Sequence, residues 1–111
     1  MGLSWTVLGC SGTYAAPDNA CSGYLVRSGD TNVWVDCGPG TLANLQHHVP
    51  IPMVDAVVVS HVHPDHWLEL PVLRNALKYG FGRSGVGLFG TAATRARLDA
   101  LVDGEIEPTF T

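Results

Sequence analysis

Val58-Val59-Ser60-His61-Val62-His63-Pro64-Asp65-His66 is the stretch on which the reading of this chain turns. Three histidines and an aspartate fall between positions 61 and 66, directly after a run of β-branched apolar residues. Neutral imidazole and carboxylate are the donors that hold zinc and similar divalent ions. A buried strand that ends in such donors presents them from a rigid support. A polar turn with surface histidines is the ordinary alternative, but the spacing H-x-H-x-D-H rarely arises by chance. His61 and His63 stand two apart, so an extended segment projects both to one side. Pro64 stops the extended run and turns the chain. Asp65 and His66 then follow at the start of a helix, directing a second pair of donors into the same cavity.

Around this motif, strands and helices alternate. Residues 3–8 read as a first strand, followed by a Gly/Ser/Pro/Asp-rich loop to Asn19. Residues 22–27 and 32–36 read as a hairpin across the turn Ser28-Gly29-Asp30-Thr31. Gly38-Pro39-Gly40 opens a short helix over residues 41–47, which Pro50 and Pro52 end. Residues 54–60 are apolar on both sides, as in a central strand covered from both faces. Residues 67–79 carry Leu68, Val72, Leu73 and Leu77 near helical spacing, with Pro71 tolerable in the first turn. A glycine-rich connection leads to a short strand over 86–89 and a last helix over 91–102, with Thr91 as its N-cap. The tail 104–111 shows no period. The chain reads as one domain without repeats or a linker.

The metal motif resembles that of the metallo-β-lactamase superfamily. Further segments are similar to its ribonuclease Z-like branch, which includes phosphodiesterases of cyclic nucleotides. These are the opening Thr6-Val7-Leu8-Gly9-Cys10-Ser11-Gly12-Thr13, the strand Ser22-Gly23-Tyr24-Leu25-Val26, and Val33-Trp34-Val35-Asp36-Cys37-Gly38-Pro39-Gly40. The resemblance covers about the first 70 residues. It implies an α/β (α+β) fold, the N-terminal half of a metallo-β-lactamase αββα sandwich over residues 1–111, with a mixed sheet and flanking helices. It also implies two divalent metal ions, zinc first, with manganese or iron suited to the same donors. His61 and His63 would take one ion, Asp65 and His66 the other. Asp36 falls where the family places an aspartate that supports the metal loop, although a turn-forming aspartate explains it equally well.

Length is the point of departure. Two sheets that cover each other need roughly twice these residues. No histidine follows His66, whereas the family draws a third metal-binding histidine, a bridging aspartate and a last histidine from its later half. The apolar share of 46% against 14% charged residues fits a segment with one face awaiting cover. No apolar run approaches the roughly 18 residues that span a bilayer, and the N-terminus lacks the pattern of a secretory signal. Cys10, Cys21 and Cys37 lack CxxC spacing and read as reduced thiols of a cytoplasmic protein. A net charge of −4 argues against a general nucleic-acid-binding surface, which is usually basic, although five of the six basic residues lie between Arg74 and Arg97. A small anionic phosphodiester suits it better than a long polynucleotide, and no membrane partner is indicated. An uncovered apolar face would also allow a homodimer.

Two divalent ions about 3.5–4 Å apart can bind the attacking and leaving oxygens of a phosphodiester and ease the ionisation of a bridging water. The expected function is therefore metal-dependent hydrolysis, most simply of a phosphodiester, with Asp65 as the catalytic carboxylate that orients the water or accepts its proton. A thioester or lactone hydrolase would use the same first four ligands, and a non-catalytic metal-binding fragment would lack the later ones. Catalysis by these 111 residues alone would need another chain or segment to protonate the leaving group. Of the remaining candidates, Ser11 and Gly12 could offer backbone donors to a phosphate. Asp18 and Asn19 border the expected mouth, and Trp67 would wall the site or pack in the core. His47 and His48 read as helix-end residues. Arg74 and Lys78 read as a solvated helical face, with phosphate contact as the alternative. Asp99 and Asp103 also read as solvated.

Overall fold

A computed structural model describes residues 2–111. Five strands form one mixed sheet whose spatial order follows the chain: β1 (Leu3–Gly9), β2 (Gly23–Ser28), β3 (Thr31–Val35), β4 (Ala56–Val58) and β5 (Gly87–Phe89). The first three strands run antiparallel, and β3, β4 and β5 run parallel. Antiparallel neighbours need only a tight turn; between β2 and β3 it is Gly29-Asp30, where Gly29 takes φ 58° without a Cβ penalty, whereas β1 reaches β2 through the loop of residues 10–22. Parallel neighbours need crossovers. These carry α1 (Thr41–Leu45) between β3 and β4, and α2 (Leu70–Asn75) between β4 and β5. A third helix, α3 (Ala92–Leu101), follows β5, and its cap is the predicted one: Thr91 Oγ1 accepts from the Thr94 amide at 3.2 Å.

Register sorts the side chains between the two faces. Thr6, Leu25, Trp34, Val57 and Leu88 lie opposite one another across the five strands. This row faces the helices, and Leu25, Trp34 and Val57 are fully buried with Leu45, Leu70, Leu73, Leu77 and Leu98 in one core. Two further rows alternate with it: Trp5, Val26, Val33, Ala56, Gly87 and Val7, Tyr24, Val35, Val58, Phe89. They form the opposite face. Trp5 is 60% exposed, Val7 57% and Phe89 60%, while the residues between them are only half-buried. The sheet is thus apolar on both faces and covered by helices on one. β4 was expected to be covered from both sides; within these residues its Ala56 and Val58 side remains open.

Three local expectations need correction. Asp65 and His66 do not open a helix. They sit on a single 3₁₀ turn, Pro64–His66, and Trp67 at φ −148° breaks it from α2. The helix predicted for residues 67–79 is α2 followed by a π-helical turn, Ala76–Phe81, closed by Gly82 at φ 63°. Arg74 is fully buried rather than solvated. Its Nη2 donates to the carbonyls of Asp103 and Glu105, both at 2.7 Å, and its Nη1 to Asn75 Oδ1 at 3.1 Å. That tether explains the tail, which shows no period yet buries Ile106, Thr109 and Phe110. Phe110 bridges Val86 in parallel, so the tail borders β5 as an added edge.

Candidate metal centre

Where β4 leaves the sheet, its last hydrogen bonds tie it to both neighbours. The Asp36 amide donates to Val58 O at 2.8 Å, and the Val59 amide donates to Phe89 O at 2.8 Å, so the segment departs from a fixed point. His61 and His63 then project from extended backbone to one side, with ring centroids 4.8 Å apart. The 3₁₀ turn returns His66 to within 4.0 Å of the His61 ring. His66 Nε2 lies 3.3 Å from Asp65 Oδ2. All four predicted donors therefore meet in one cluster. Among the described residues, no three His, Cys, Asp or Glu side chains close on one point as a finished metal cage.

Asp36 anchors this cluster. It follows β3 with φ 58°, a left-handed conformation uncommon for a residue with a Cβ though more accessible to aspartate than to most. Its Oδ1 accepts from the Ser60 amide at 2.7 Å, and its Oδ2 accepts from Ser60 Oγ at 2.8 Å and His66 Nδ1 at 2.8 Å. Ser60 Oγ in turn lies 3.0 Å from His61 Nδ1. This pattern supports the loop-bracing role for Asp36 over a simple turn. Below the loop, the Cys37 amide donates to His66 O at 2.6 Å, and Trp67 Nε1 donates to Val62 O at 2.6 Å. Trp67 belongs to the core and braces the loop from beneath. Glu69 Oε1 accepts from the amides of Gly40 and Leu42, joining α1 to the start of α2.

The glycine loop after β1 reaches the cluster through its backbone. The Thr13 amide donates to Asp65 Oδ2 at 3.1 Å, so that donor meets a carboxylate of the chain. Partial burial pushes the Asp65 carboxyl up, but the Thr13 amide and the nearby His66 and His63 rings outweigh it. The net direction is below the ordinary aspartate range. Burial, then the Asp65 charge, raises the Cys21 thiol, and burial with Asp36 and Glu69 raises Cys37 well above its usual value. All three cysteines are free thiols, as expected.

The other candidates lie outside the cluster. Asp18 is exposed, and Asn19 Oδ1 accepts from the Cys10 amide. His47 and His48 are exposed beyond α1. Asp99 pairs with Arg95 on the surface of α3. Ser60 and Glu69 were not singled out from sequence. Ser60 carried one usable signal, a hydroxyl immediately before the first ligand-type histidine.

Residues 16–86 match the sequence model of the family described as the metallo-beta-lactamase superfamily. The chain belongs to that superfamily. Among similar proteins of the superfamily is the "probable metallo-hydrolase YhfI" of Bacillus subtilis, 45% identical over 75 residues, 68% of this chain and 31% of that protein. A ribonuclease Z of Haloferax volcanii is 28% identical over 111 residues, 99% of this chain and 35% of its own length. The crystal structure of B. subtilis YhfI superposes with a TM-score of 0.86 at 32% identity, over the whole of this chain and 45% of that one. Human tRNase Z, short form, superposes with a TM-score of 0.77 at 23% identity, over 96% of this chain and 42% of that one, and so shares the fold. This metallo-beta-lactamase chain thus spans less than half the length of the superfamily members it matches. Its mixed sheet with flanking helices is the arrangement the resemblance implied.

Proposed function

We propose that this chain carries the first part of the metal centre of a metal-dependent hydrolase acting on phosphodiesters. The observation that carries the proposal is the meeting of His61, His63, Asp65 and His66 at the end of β4, on a loop tied back to Asp36. The donor set fits divalent ions: His66 Nδ1 is engaged by the Asp36 carboxylate, which leaves Nε2 as the nitrogen with a lone pair to give. His61 and His63 would hold one ion, and Asp65 and His66 a second, with zinc first and manganese or iron compatible. Bound there, divalent ions supply electrophilic stabilisation of phosphoryl oxygens and make a water acidic enough to ionise near neutral pH.

The chain's own residues do the positioning. Asp65, held by the Thr13 amide, is placed to orient an attacking water or accept its proton. No histidine follows His66, so the later histidine that the resemblance implies as acid for the leaving oxygen is not among these residues. The ribonuclease Z relatives favour a phosphodiester, and the net charge of −4 favours a small anionic one over a long polynucleotide. No helix is long and apolar enough to cross a membrane. Three free thiols suit a reducing compartment such as the cytoplasm.

The test supplies excess zinc or manganese and offers a bis-aryl phosphate, a cyclic nucleotide, a thioester and a lactone. Metal-dependent turnover of the bis-aryl phosphate, whose aryloxide can leave without a general acid, reduced at least ~100-fold in His63→Ala, is the expected result. Thioester or lactone turnover with the same sensitivity would reassign the substrate class. Turnover that ignores His63→Ala would remove this site from the chemistry.

A further inference from the structure

Ser60 forms two short contacts through one hydroxyl, to Asp36 Oδ2 at 2.8 Å and to His61 Nδ1 at 3.0 Å. The hydroxyl has a single proton to give, and a carboxylate can only accept. Were that proton directed to His61, the hydroxyl oxygen would face the Asp36 carboxylate with no hydrogen between them. It must therefore be donated to Asp36, and the Ser60 oxygen must accept from His61 Nδ1–H. Asp36 Oδ2 accepts from His66 Nδ1–H in the same way. One carboxylate oxygen thus orders two rings, directly for His66 and through Ser60 for His61.

We infer that Ser60 is a positioning residue that carries the polarity of Asp36 to His61, fixing the ring's proton on Nδ1 and leaving the Nε2 lone pair to face a metal ion. This inference rests on the metal-centre reading above and deepens it. His63 provides a contrast, since among the described residues no hydrogen bond holds its ring. A free imidazole exchanges between tautomers, and only one of them presents a given nitrogen to a metal. Locking the right one in advance removes that reorganisation from the binding step. The backbone amide of Ser60 bonds Asp36 independently of the side chain. Removing the hydroxyl therefore breaks the relay while the loop keeps an anchor.

The decisive experiment reads ring tautomers by long-range proton–nitrogen correlation NMR. It uses metal-free protein at one fixed pH of about 8.5, where unperturbed imidazoles are neutral. His47 and His48 serve as exposed references. In the wild type, His61 and His66 are expected as the Nδ1–H form. Ser60→Ala should release His61 while His66 stays locked, and Ser60→Thr, which keeps the hydroxyl, should restore His61. Zinc affinity should fall roughly 10–100-fold in Ser60→Ala and return in Ser60→Thr. A wild-type His61 protonated on Nε2, or one unchanged by Ser60→Ala, overturns the relay. Equal zinc affinity in all three proteins overturns its role toward the metal. If the wild type binds no zinc while the tautomers behave as stated, the metal-centre reading fails and the relay stands.

Discussion

Gly38 lies beneath the loop that carries the histidines, and its missing side chain is what lets that loop come down. A Cβ there would run into the Asp65 carbonyl oxygen and come within 2.7 Å of both Cys21 Cβ and the Ser22 carbonyl oxygen. Two of these obstacles are backbone, so they cannot rotate away. Gly38→Ala is expected to lower stability by about 1–3 kcal/mol through overpacking. It should also weaken zinc binding, because the displaced atom belongs to Asp65; a urea melt and a zinc titration would check both. The cysteines divide by the same logic of access. Cys10 is exposed, whereas Cys21 and Cys37 are buried with raised thiol pKa values. The thiolate is the reactive form, so a maleimide at neutral pH should label Cys10 rapidly and reach the others only on unfolding. For Cys37 the sign is clear. The folded state keeps a proton that the unfolded chain releases near the ordinary value of 9.0. Stability from this thiol is therefore whole below that value and declines as pH rises above it. Denaturant melts at neutral and alkaline pH should show the decline, and Cys37→Ala should flatten it.

The helices show what holds the last third of the chain. Thr91→Ala removes the cap of α3 and should cost about 1 kcal/mol, while Thr91→Ser, which keeps the acceptor, should cost little. Arg74 on α2 matters more, since its guanidinium satisfies two carbonyls of the tail from a fully buried position. Arg74→Ala should strip both bonds, at a cost of about 1–3 kcal/mol for the buried groups left unpaired. Hydrogen exchange should then quicken first at the Phe110 and Thr111 amides. These features also mark where sequence stopped being informative. The strands were legible because β-branched residues alternate between turn-forming glycines, and the meeting of His61, His63, Asp65 and His66 was legible because they are nearly contiguous. The 3₁₀ turn was not, because Pro64 permits either helix type and the break comes from the backbone at Trp67. The roles of Arg74 and Ser60 depend on partners 29 and 24 residues away, respectively. The tail shows no period because Ile106 and Phe110 are spaced to enter the shared core and to border β5, with Arg74 holding the carbonyls of Asp103 and Glu105.

Taken whole, the molecule has one sheet and two apolar faces, and helices cover one of them. On the open side the two rows led by Trp5 and Val7 run across all five strands, with Trp5 and Tyr24 packed ring to ring at 5.5 Å. A contiguous apolar face of this kind is rare on a protein that remains monomeric. The superfamily relatives are more than twice as long as the segment they share with this chain, which leaves ample sequence to cover such a face. On its own the 111-residue chain should cover it with a second copy. Stacking of the open faces is the expected mode, because the β5 edge is already taken by residues 109–111: the Leu88 amide donates to Thr111 O, and the Thr111 amide to Val86 O. Gel filtration across a concentration series should therefore show association. Replacing Trp5 and Phe89 together by lysine should reduce it and flatten the dependence of the melting temperature on concentration, while the chain still folds, since both side chains project away from the helix-covered core. A wild-type chain that stays monomeric and melts cooperatively at high concentration would contradict this, because the exposed rows would then need no cover.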